Sequence, residues 1–105
     1  MKRKEITFHL VHQTDKYGLE KLLLKYNNKI QGYVEYDKRN KIYRLSLGKP
    51  SDYSSFSYAY QTLEEALHSF LKFQREFLGY TSSGMNDVIL SVRLKGNEKH
   101  AMIVD

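Results

Sequence analysis

The sequence has no cysteine, no tryptophan, one proline and six glycines in 105 residues. Without cysteine, disulfide frameworks, thiolate metal sites and thiol nucleophiles are excluded. Its unbroken apolar runs stop at three or four residues, as in Leu22-Leu23-Leu24, far short of the ~20 that a membrane-spanning helix needs. The start, Met1-Lys2-Arg3-Lys4-Glu5, is not followed by an apolar stretch of signal-peptide length, so a cytoplasmic chain is expected. Low-complexity tracts, repeats and linkers are missing too, which predicts one domain over residues 1–105. With 41% hydrophobic, 28% charged and 13% aromatic residues, the chain can form a core without a staple.

Acidic residues are scarce in one half. Residues 1–49 carry a net charge of +7 and residues 50–105 one of −2, for +5 overall and a pI near 9.4. A basic half attracts phosphates through counterion release and steers acidic partners, so nucleic acid or an acidic protein surface is the expected partner, with no membrane.

Residues 5–13 alternate, with Ile6, Phe8 and Leu10 on one side and Thr7, His9 and Val11 on the other, which predicts a strand. Leu19, Leu22, Leu23 and Tyr26 then recur at helical spacing, with Thr14 or Asp15 as cap and Asn27-Asn28 as stop, predicting a short helix. Residues 30–36 and 41–47 read as a hairpin turning at Asp37-Lys38-Arg39-Asn40. Pairing Tyr36 with Lys41 puts Tyr33 beside Arg44 on one face and Val34 beside Tyr43 on the other. Phe56, Tyr58 and Tyr60 alternate as a third strand after the loop Gly48-Lys49-Pro50-Ser51-Asp52-Tyr53-Ser54-Ser55.

Residues 62–78 predict a helix, opened by a Thr62/Glu65 capping box and lined by Leu63, Ala66, Leu67, Phe70, Leu71, Phe77 and Leu78, with Gly79 as its stop. Val88, Leu90, Val92 and Leu94 predict a strand, and residues 100–104 return as another after Lys95-Gly96-Asn97-Glu98-Lys99. The expected fold is therefore α+β, a mainly antiparallel sheet with two helices in the order β-α-β-β-β-α-β-β. Its expected core includes Phe8, Leu23, Val34, Leu45, Tyr58, Leu67, Phe70 and Val92, in a monomer or homodimer.

No sequence pattern announces an enzyme. Gly-rich phosphate loops, HExxH, GxSxG and Walker patterns are missing. His9 and His12 fall on opposite faces of their strand, while His68 and His100 have no ligand partner nearby in sequence, so no metal or other cofactor is expected. Glu64 and Glu65 fit the first turn of a helix, where carboxylates oppose the macrodipole. A metal-free ribonuclease, which needs only scattered His, Lys, Arg and Tyr groups, is compatible with this composition, but the expectation is a non-catalytic binding module.

Two family layouts are similar in part. Residues 19–78, read as helix, three strands and helix, are similar in order to double-stranded-RNA-binding domains. Those grip phosphates with lysines where this chain has Thr62-Leu63-Glu64-Glu65-Ala66, so that function is rejected. Residues 30–78 resemble the three-stranded sheet and helix of integrase arm-type DNA-binding domains, a likeness implying that the exposed sheet face enters the major groove.

The residues expected to contact nucleic acid or a partner are Tyr33, Lys38, Arg39, Lys41, Arg44, Lys49 and Tyr53, because basic groups interleaved with an aromatic suit phosphates and base faces. Eight of the nine tyrosines lie between Tyr17 and Tyr60. A Tyr-rich surface around Tyr17, Tyr33, Tyr53 and the 48–55 loop supports the alternative, a protein-binding regulator or inhibitor of phage or mobile-element type, such as an anti-CRISPR-type protein.

Overall fold

Alternating strands dominate the chain. The computed structural model describes residues 4–50, 57–77 and 88–104. They form β1 (Lys4–Thr14), β2 (Glu20–Tyr26), β3 (Lys29–Asp37), β4 (Ile42–Leu47), β5 (Tyr58–Tyr60), α1 (Leu63–Phe77), β6 (Val88–Leu94) and β7 (Asn97–Val104). One seven-stranded sheet results, in the order β5-β4-β3-β2-β1-β6-β7. Every neighbouring pair is antiparallel except β1 and β6, which run parallel. The sheet is therefore mixed, and the order is β-β-β-β-β-α-β-β.

One predicted helix is a strand. Residues 20–26 pair with both β1 and β3. Three local features decide it. A helix over 19–26 would be too short to hold itself without tertiary support. Upstream, the Asp15 carboxylate accepts from the backbone N–H groups of Tyr17 and Leu19, both at 2.9 Å, and Gly18 sits at φ +81°, so the chain reverses there. Downstream, Asn27 and Asn28 adopt φ 51° and 63°, the two consecutive left-handed residues of a tight hairpin turn rather than a helix stop. Losing that helix also removes the helix-strand order similar to double-stranded-RNA-binding domains.

The β3–β4 register differs from expectation by two residues. Tyr36 pairs with Tyr43, Val34 with Leu45 and Tyr33 with Ser46. The cause lies in the turn, where Asp37 accepts from the N–H groups of Arg39 and Asn40 at 3.0 and 3.1 Å while Lys41 takes φ 56°. A slip of two leaves each side chain on its expected face. Arg44 faces Glu35, however, and stands diagonal to Tyr33 rather than directly opposite. The likeness of residues 30–78 to an integrase-type sheet and helix survives only as β3, β4, β5 and α1 forming one flank of a larger sheet.

The helix begins as its cap predicts, with the Glu65 N–H donating to Thr62 Oγ1 at 3.1 Å. It packs against β4 and β5 on one flank and β6 and β7 on the other, so the sheet curls around it as a half-barrel. Phe70 is the centrepiece. Fully buried, it meets Phe8 of β1 edge-on at 5.0 Å and sits over Gly32 of β3, where an added Cβ would lie 2.9 Å from its ring. Leu10, Leu24, Val34, Leu45, Leu67, Leu71, Leu90 and Val92 complete the inner layer.

Two expected core positions, Tyr58 and Leu23, and Phe77 of the expected apolar helix face behave differently. Phe77 is 72% exposed at the helix end and Tyr58 is 41% exposed, although the Tyr58 ring still packs on Phe73 at 4.9 Å. Leu23 is buried on the opposite face of the sheet, in a row across the strands with Val11 and Tyr33. Phe56, Leu78, Gly79 and most of the 48–55 loop lie outside the described residues.

Candidate nucleic-acid interface

The sheet has an inner face, covered by α1, and an outer face on which none of the other described elements packs. Strand alternation puts His9, Val11, Lys21, Leu23, Lys25, Tyr33, Glu35, Arg44 and Arg93 on the outer face. Charges there fall into two groups. Some are matched, with Lys21 to Glu35 at 3.7 Å, Arg93 to Glu5 at 3.0 Å and Arg44 to Asp37 at 3.1 Å. Others have no carboxylate among the described residues: neither Lys25 nor Lys95 makes an ion pair there.

Of the residues expected from sequence to make contacts, Lys38, Arg39 and Lys41 stand exposed on the β3–β4 turn. Asp37 organises that turn. Its carboxylate takes the backbone and side-chain N–H groups of Asn40 and both Nε and Nη2 of Arg44. Arg44 is thus engaged by Asp37. Tyr33 lies half-buried on the outer face beside Leu23 and Ser46, and Lys49 is exposed beyond β4. Tyr53 lies outside the described residues.

Hydrogen bonds from Asn40, and then the Arg44 guanidinium, hold the Asp37 carboxyl at about 2, below its ordinary 3.8. A depressed carboxyl stabilises the fold fully above its unfolded value and loses that contribution as pH falls through its folded one. Asp37→Asn should therefore melt below the wild type at neutral pH, and the gap should close between about pH 4 and pH 2. Thermal melts across that interval check it; a gap constant with pH would show that Asp37 acts through shape alone.

A second group of cations was not legible in the sequence. His9 faces Lys25 across β1 and β2, and Arg93 faces His9 across β6 and β1. The Lys95 N–H donates to the Leu10 carbonyl at 3.0 Å, which draws the β6–β7 turn against β1. Together His9, Val11, Lys25, Asn28 and Lys95 line a shallow depression of about 210 Å³, and none of these described lining residues is a carboxylate.

No family model, curated protein or solved structure matches the chain.

A cleft of about 450 Å³ opens at another edge, between the β1–β2 and β3–β4 turns, lined by Gly18, Leu19, Glu20, Glu35, Tyr36, Asp37 and Lys38. Leu19 is 59% and Tyr36 48% exposed, and Tyr17 of the same β1–β2 turn is 77% exposed. Two of the four exposed aromatics among the described residues, Tyr17 and Tyr36, thus lie at these turns, the others being Tyr58 and Phe77. Among the described residues, no three His, Asp or Glu side chains cluster as a metal site would require. Nor, among the described residues, is any helix long and apolar enough to cross a membrane.

Proposed function

We propose that the protein is a non-catalytic module that binds nucleic acid through the outer sheet face and the β3–β4 turn. One observation carries this reading: on a face where Lys21, Arg44 and Arg93 are matched by carboxylates, Lys25 and Lys95 border a depression with no carboxylate among its described lining residues. Lys25 and Lys95 stand on either side of β1, and an anionic ligand in the depression between them would draw on both charges. Lys38, Arg39 and Lys41 add a second basic group at the turn, and Tyr33 offers an aromatic on the same outer face. Cations position a phosphate backbone, while an aromatic accepts a base or sugar.

Fluorescence-anisotropy titration of labelled duplex DNA, single-stranded DNA and RNA tests the proposal. Micromolar or tighter binding to one of the three is the expected result. Absence of binding to all three at low salt would overturn it.

The exposed Tyr17, Leu19 and Tyr36 favour a second reading, a regulator or inhibitor docking a protein partner at the cleft between the two turns. Charge would then only steer the encounter. Under that reading a purified partner remains bound after nuclease treatment and is released by Leu19→Asp.

A further inference from the structure

We infer that the depression lined by His9, Lys25, Asn28 and Lys95 is a phosphate-binding site, seating one phosphodiester of a single strand whose neighbouring base reaches Tyr33. The inference rests on the nucleic-acid reading and specifies its ligand. Two lysines without carboxylate partners among the described residues border a concavity of about 210 Å³, room for a phosphate with its attached sugar.

Neither lysine is there by accident of a flexible tail. Lys25 is a paired strand residue opposite His9, and Lys95 is tied by its own N–H to Leu10. Asn28 adds an amide whose N–H₂ can donate to a phosphate oxygen, on a turn already fixed at φ 63°. From Lys25 to Tyr33 is one strand across and about two residues along, on the order of 8 Å between backbones. That separation suits a phosphate and the base beside it in a single strand, and base stacking on an aromatic tolerates any sequence.

The test is an amide chemical-shift titration of the full chain, first with inorganic phosphate against chloride at equal ionic strength. Saturable shifts are expected at His9, Lys25, Asn28 and Lys95. Lys25→Ala and Lys95→Ala should each weaken phosphate binding by about three- to tenfold, and the double variant should abolish it. Asn28→Gly keeps the left-handed turn while deleting the donor, and should weaken it about threefold. Should a variant fail to fold, the wild-type titration decides the matter by itself.

A single-stranded oligothymidylate is then titrated against the same amides. Shifts there and at Tyr33 support the inference. No saturable phosphate shift at the depression, or no change in the double variant, overturns it. An oligonucleotide that binds while moving only the β3–β4 turn would overturn this site and leave the proposed function standing. A phosphate response without oligonucleotide binding would uphold the anion site and overturn the nucleic-acid reading.

Discussion

Replacing Phe70 with alanine is expected to cost about 3–5 kcal/mol, which would lower the melting temperature by roughly 15 °C or more. The Phe70 side chain joins α1 to β1 and β3. Phe70 is fully buried, packs edge-on against Phe8 at 5.0 Å, and occupies the space left open by Gly32. Its loss would leave a cavity between α1, β1 and β3 that a curled sheet can close only partly. Gly32 gives the reciprocal test. An alanine there puts its Cβ 2.9 Å from the Phe70 ring and 3.0 Å from the Ser46 carbonyl, so about 1–3 kcal/mol of overpacking is expected. Gly32→Ala combined with Phe70→Leu should cost less than the two changes added, because the smaller side chain vacates the contested space. Strict additivity in chemical denaturation would mean that the contact does not set the cost.

Reversing Lys38, Arg39 and Lys41 together to glutamate should weaken nucleic-acid binding about a hundredfold or more while leaving the melting temperature nearly unchanged. These side chains are exposed on a turn that the Asp37 carboxylate holds through the N–H groups of Arg39 and Asn40, so the fold does not depend on their charge. Arg44→Gln is the informative contrast. Its Nε and Nη2 both donate to Asp37, and the variant should lose stability in the turn with little loss of affinity. Equal loss of affinity from Arg44→Gln would show that the Asp37 pairing opens on binding.

The elements legible in sequence were those whose signal is local. β1, β3, β4 and β6 alternate, and α1 announces itself by Thr62, Glu65 and an apolar face that does pack inward. β2 escaped because Leu22 and Leu24 point inward while Leu23, between them, is buried on the other face; three consecutive leucines conceal an alternation and satisfy a helical spacing equally well. Asn27-Asn28 compounded the error, since the same residue type ends helices and makes tight hairpins. Phe77 continued the helical period past the point where α1 still faces the sheet.

The candidate site divides the same way. Its turn cations Lys38, Arg39 and Lys41 fall within four residues of sequence, so their grouping is legible there. The depression is assembled from β1, β2, the β2–β3 turn and the β6–β7 turn, and it exists only because residues 20–26 are a strand and β6 returns parallel to β1. Neither pairing has a local signature. Once β2 is read as a strand, the outward positions His9 and Lys25 become neighbours, which is the one clue that sequence could have supplied.

The salt dependence of nucleic-acid affinity bears most directly on the outer face and turn as a phosphate-binding surface. Each phosphate contact adds about −0.7 to the log–log slope for a single strand and about −0.9 for a duplex. With Lys25, Lys95 and the three turn cations engaged, the expected slope is about −3.5 for a single strand and about −4.5 for a duplex. It should flatten stepwise as the turn cations and then the two lysines of the depression are replaced. A slope near zero, or one unchanged by those replacements, would contradict it.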